Sequence, residues 1–163
     1  MSDDIANIPA RDYFERARMW AGTGLFIAAA LTILGSFLDW VTVDALPERI
    51  PANQAARAEP FNGFDIGDGW WTLGAGLVLA LCAVLIVLRP VSRYAWWAFI
   101  AAIVCGGIAI SDYRGIAEVF NDWGGIGIGP SAGIGLTLVA AGAFVGLISS
   151  VAAITATPRR DAR

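Results

Sequence analysis

WAGTGLFIAAALTILGSFL, Trp20 to Leu38, is nineteen residues without a charge. A helix rises about 1.5 Å per residue, so a run of this length crosses the roughly 30 Å of hydrocarbon in a bilayer. A cleavable signal peptide has an apolar region of only about 7–15 residues. The run therefore reads as an uncleaved span, and the rest of the chain repeats the pattern. Apolar segments recur at 71–88, 94–111 and 131–154, which predicts an all-α membrane protein built as a four-transmembrane-helix bundle.

Composition agrees. Of 163 residues 57% are hydrophobic and 15% charged, with a mean hydropathy of +0.64. A soluble domain has about 45–50% apolar and about 25% charged residues. Histidine is absent, which removes the commonest metal ligand and proton-transfer group together. Cys82 and Cys105 lie in separate apolar runs with no metal-binding spacing, and read as buried structural thiols. No cofactor and no nucleic-acid partner is expected.

The segments between spans carry the topology. Residues 1–18 are polar, and Arg11 to Arg18 fits a short interfacial helix with Tyr13 and Phe14 toward lipid. Arg89-Pro90 stops the second span, because proline cannot continue a helix interior. The short link to Tyr94 makes spans two and three antiparallel neighbours. Pro130 is read as the start of the fourth span. Eight arginines (11, 16, 18, 89, 93, 159, 160, 163) flank the N-terminal segment, the short link and the tail 155–163, against three (49, 57, 114) in the two longer loops. Basic residues near short loops stay cytoplasmic. The expectation is a multi-pass protein of the plasma membrane, both termini cytoplasmic and loops 39–70 and 112–130 outside. In the first loop, Trp40–Val43 and Phe61–Ile66 alternate weakly, as in a short β-hairpin; Pro51 to Pro60 reads as mobile.

Lipid tails are as apolar as leucine, so membrane helices associate through close packing at small residues. The first span carries Gly24, Ala28, Thr32 and Ser36 at i, i+4 spacing, and the fourth Gly142, Gly146 and Ser150. Shorter stripes are Gly76/Ala80 and Ala101/Cys105/Ala109, with Ala102/Gly106 as an alternative. Spacing does not distinguish an interface within the chain from one with a partner.

Acids meet tryptophans at three outer borders: Asp39-Trp40, Asp68-Gly69-Trp70-Trp71 and Asp122-Trp123. Asp68 suits the N-cap of the second span, accepting amide hydrogens at its positive end. Together with Asp65, the aspartates Asp39, Asp68 and Asp122 are the candidate ligands for a cation such as calcium, which takes several oxygens. Asp65 to Gly69 lacks the EF-hand spacing, and capping with loop anchoring is the simpler reading. The tryptophans fit an interfacial aromatic belt. Gly124 to Gly135 has no Lys-Ser/Thr after it and reads as a loop or close backbone packing rather than a phosphate loop. No ionisable residue lies well inside a span, which argues against a proton pump or coupled transporter.

Leu38-Asp39-Trp40-Val41-Thr42-Val43, Gly67-Asp68-Gly69-Trp70-Trp71-Thr72-Leu73 and the approach Ile126-Gly127-Ile128-Gly129 to Gly133-Ile134-Gly135-Leu136 resemble a group of small uncharacterised four-span integral membrane proteins of actinobacteria. The resemblance covers roughly residues 20–150, and Asp39 stands where that group often has proline. It implies a fold and a membrane location and supplies no catalytic residue. The expected function is a non-enzymatic accessory or scaffolding protein that packs against other membrane subunits or itself within the lipid bilayer. The alternatives are an outer-face binding or sensing module for a cation, lipid headgroup or cationic ligand, and a passive oligomeric channel.

Overall fold

Hydrocarbon offers no water to an unpaired amide, so a spanning chain must satisfy its backbone within a helix or a closed barrel. This chain uses helices. The computed structural model describes residues 8–44, 61–89, 91–122 and 129–156. Within them, α1 is Ile8–Phe37, β1 Asp39–Asp44, β2 Phe61–Asn62, α2 Gly63–Ile66, α3 Gly69–Leu88, α4 Ser92–Asp122, β3 Gly129–Ala132 and α5 Ile134–Ala156. The helices α1, α3, α4 and α5 are each long and apolar enough to cross a membrane. The chain is a four-helix membrane bundle with a small sheet at one end.

Each helix packs antiparallel on its ring neighbours, in the order α1, α3, α4, α5 and back to α1. The first turn of α1 and the last turn of α5 therefore share one end of the bundle with the end of α3 and the start of α4, and the sheet caps the other. α1 and α5 meet along small residues. A Cβ on Gly142 would lie 2.5 Å from Thr32 Oγ1 and 2.9 Å from the Ala28 carbonyl, and one on Gly24 would run into Ser149 Oγ. Gly146 faces Ala28 and, on α4, Ala102. Ser150 is buried and donates its hydroxyl to the Gly146 carbonyl. The stripes of the first and fourth spans thus face each other within one chain. Gly76 similarly admits Ile33 of α1.

Three boundaries differ from the sequence reading. The basic segment before the first span is continuous with it, because nothing from Ile8 to Phe37 interrupts the helix. α4 runs past Ser111 to Asp122, so the first half of the expected 112–130 loop is helical. Pro130 lies in β3 rather than at a helix start; α5 begins at Ile134. The expected hairpin exists as β1 paired with β2, but Gly63–Ile66 turns into α2 instead of extending it. The sheet order is β2-β1-β3, antiparallel throughout, with Thr42 opposite Ser131 and their hydroxyls 2.8 Å apart. β3 is an edge strand, where a proline without an N–H is tolerated. Pro51 to Pro60, Trp123, the glycines 124, 125 and 127, and arginines 49, 57, 159, 160 and 163 lie outside the described residues.

Candidate functional site

The sheet end of the bundle gathers the polar and aromatic residues singled out above. At its centre is Trp40, fully buried among Cys105, Ala109, Leu136, Val139 and Ala143. It is a plug in the bundle's end, not part of the expected aromatic belt. The chain reverses at Leu38–Asp39, which swings the indole back over the last turn of α1. Its Nε1–H then donates to the Gly35 carbonyl at 2.8 Å, one of the helix-end acceptors that has no partner within the helix. A methyl on Gly63 would meet the indole at 2.6 Å, so α2 closes over the ring only because residue 63 has no side chain. Gly133 and Gly135 make room on the other side for the backbone that carries the ring. The Gly133 amide donates to the Trp40 carbonyl at 2.8 Å, and Gly135 abuts the Leu38 and Gly35 carbonyls. Trp70 and Trp71, by contrast, are 68% and 70% exposed and fit an interfacial belt.

The four candidate aspartates occupy different settings. Asp65 is exposed and accepts from the Asn62 amide at 3.1 Å while Asn62 accepts from the amides of Phe64 and Asp65. This is a complete capping box that starts α2. Asp68 occupies the N-cap position of α3 but does not cap it. Its backbone is already helical and its side chain makes no cap bond; its carbonyl accepts from Trp71 and Thr72 at 3.1 Å instead. Asp39 is half-buried at the start of β1. Asp122 is the last residue of α4. Among the described residues no three acids or cysteines come together in a metal-binding group.

A pairing absent from the sequence reading is that of Asp68 with Asp112 on α4. The Asp112 Oδ2 is buried and has no hydrogen-bond partner among the described residues. In sequence, Asp112 stands at the first position of the expected loop 112–130 with nothing to assign it a partner. The signal that places it is helical continuity, since the third span meets no proline before Asp122 and so carries Asp112 up beside the start of α3. Below the pair, Thr72 Oγ1 and Ser36 Oγ lie 2.8 Å apart; one hydroxyl donates to the other, and the second donates to a carbonyl of its own helix, Gly69 for Thr72 or Thr32 for Ser36. These buried hydroxyls tie α1 to α3 across the bundle. The helix backbone satisfies the second hydroxyl without water.

Besides the exposed Trp70 and Trp71, this half of the bundle leaves open an outer surface of α4. Gly107, Ser111 and Gly115 are exposed at i, i+4, i+8, and a Cβ on either glycine would meet nothing within 4 Å. Ile103, Val104 and Ile110 stand exposed alongside, so three small positions follow one another on a face otherwise set with bulky chains. Comparison with protein-family models, with curated proteins and with solved structures finds no match to this chain.

Proposed function

We propose that the protein is a non-enzymatic accessory subunit of the plasma membrane, its chain ends on the cytoplasmic side, that docks a helix of a larger membrane assembly against α4. The observation that carries this reading is the run of exposed small residues at successive turns of α4, Gly107, Ser111 and Gly115, where α3 has a single open glycine, Gly74, among bulky neighbours. α1 presents Phe26, Ile27 and Leu34, α3 presents Leu77, Leu81 and Val84, and α5 presents Phe144, Ile148 and Val151. Those bulky chains cover their helix backbones against lipid. Gly107 and Gly115 leave theirs bare, and a mid-helix glycine costs about 1 kcal/mol relative to alanine. Close approach of another helix is the gain that offsets such a cost in a membrane. The three positions run along α4 past Asp112, which pairs with Asp68 at the start of α3, so they suit a partner with both a span and a segment beyond it. The small-residue stripes of α1 and α5 do not contribute, because they are consumed inside the bundle.

The test is purification from native membranes in mild detergent with a photo-crosslinker at position 111. The expected result is a co-eluting membrane protein crosslinked at that position and lost in the Gly107→Leu, Gly115→Leu double variant. The double variant itself stays folded, since both positions face open space. A lone monomer, an association indifferent to the two leucines, or a crosslink only to a second copy would each overturn the accessory reading.

A further inference from the structure

A second unfilled surface lies at the opposite end, between α1 and α3. Gly22, Thr23 and Phe26 on one side and Ala83, Val84 and Val87 on the other line a lateral cleft of about 300 Å³ that opens toward lipid. Gly22 sets its floor: a Cβ there would come within 2.7 Å of Val87 Cγ2, so the helices touch at the glycine and leave a furrow outside it. The walls are almost wholly apolar. In a bilayer such walls give a bound chain little selectivity, because the competing solvent is itself hydrocarbon. Any preference must come from the polar end of the cleft.

That end is basic. Arg18 lies one turn before Gly22 and thus on the same face of α1. It is half-buried, and its Nε is buried without a hydrogen-bond partner among the described residues. Arg89 follows directly on Leu88, which completes the cleft wall, and is exposed. A buried donor left unpaired is costly, and a guanidinium matches the paired oxygens of a phosphate. Basic pockets between spans are a recurrent way to hold anionic head groups. We infer that the cleft between α1 and α3 binds one anionic phospholipid, its acyl chain along Gly22 and Val84 and its phosphate on Arg18 and Arg89. Charge complementarity favours this occupant: an anionic phospholipid brings an apolar chain for the walls and a phosphate for the two arginines in one molecule.

The full chain in detergent is mixed with phosphatidylglycerol and phosphatidylcholine of identical acyl chains, and retained lipid is counted by native mass spectrometry. Phosphatidylglycerol should be retained several-fold over phosphatidylcholine. The preference should vanish in Arg18→Gln with Arg89→Gln. Val84→Trp, which fills the cleft from its exposed side, should lose the lipid with both arginines intact. Thermal unfolding without lipid, unchanged in these variants, shows that loss of binding is not loss of fold. The inference fails if the two lipids are retained equally, if the preference survives either set of substitutions, or if glycerol 3-phosphate binds as well as the intact lipid. It also fails if lipid-free protein is a dimer that Val84→Trp converts to monomer.

Discussion

Adding one methyl group at three glycines tests whether the bundle is held by backbone approach between α1 and α5. In an exposed helix position, Gly→Ala gains about 0.5–1 kcal/mol from helix propensity. Gly74 on α3 has open space around it and should show that gain alone. At Gly142 the new methyl would sit 2.5 Å from Thr32 Oγ1, 2.9 Å from the Ala28 carbonyl and 3.1 Å from the Thr32 amide. Two of those three neighbours are backbone and cannot rotate away. Overpacking of this kind costs about 1–3 kcal/mol, so Gly142→Ala should be net destabilising by roughly 1–2 kcal/mol. Gly24 is the intermediate case, because its obstacle is the side chain of Ser149, whose hydroxyl can change rotamer. Equilibrium unfolding in mixed micelles, followed by tryptophan fluorescence, should rank stability Gly74→Ala above wild type, Gly24→Ala near it and Gly142→Ala below. Equal stabilisation at Gly74 and Gly142 would show that α1 and α5 are not in backbone contact, and the internal pairing of the two stripes would be wrong.

Trp40→Ala should cost about 3–5 kcal/mol, as for other large buried aromatics; Trp40→Phe should cost less and isolates the indole N–H to Gly35 carbonyl bond. The same unfolding assay measures both, and a Phe variant as stable as wild type would remove that bond from the account. Ser36→Ala and Thr72→Val, singly and together, form a double-mutant cycle whose coupling should be about 0.6 kcal/mol and no more than about 1.7, the range for hydroxyl bonds between membrane helices. Zero coupling would mean that each hydroxyl is satisfied by its own helix alone. Asp112→Asn replaces a carboxyl facing Asp68 with an amide that can donate to it, and should raise the unfolding midpoint at neutral pH; a lower midpoint would mean that the Asp68–Asp112 contact is stabilising as it stands.

The helices were legible because hydrophobic length is a local property: Trp20–Leu38 announces a span whatever it packs against. Their partners were not. Gly24, Ala28, Thr32 and Ser36 read identically whether the facing helix belongs to this chain or another, since i, i+4 spacing defines a face and not its occupant. The tryptophans show the same limit. Trp40 and Trp70 both sit beside an aspartate at an outer border, yet one is fully buried and the other 68% exposed. The difference lies in what surrounds them: Trp40 meets two glycines distant in sequence, Gly63, which leaves room for the indole, and Gly133, which leaves room for the Asp39–Trp40 backbone. Asp112 was missed for the opposite reason. A polar residue at the edge of a hydropathy window reads as a boundary, although a polar residue can continue a helix as easily as end it.

These placements bear on how a bundle so poor in ionisable groups can carry specificity. Inside the bundle, specificity comes from absence of side chain, with Gly142 and Gly146 admitting α1 and Gly63 and Gly133 admitting Trp40. The same device turned outward, at Gly107 and Gly115 of α4, has nothing yet against it. Glycines facing lipid weaken a helix without improving its solvation, whereas glycines facing another helix permit contacts that no bulkier residue would allow. On the proposed accessory reading, a helix of another protein supplies the contact on the outside that α1 supplies within. At the other end of the molecule Gly22 opens a furrow rather than closing a contact, and the charge at its mouth, Arg18 and Arg89, makes it a place for a lipid instead. One helix face is thus suited to protein and one cleft to an anionic head group, and they lie on different helices, so neither occupant need displace the other. A variant that loses its protein partner through Gly107→Leu and Gly115→Leu should accordingly keep its preference for phosphatidylglycerol. Joint loss of both would show that the two surfaces are parts of one interface.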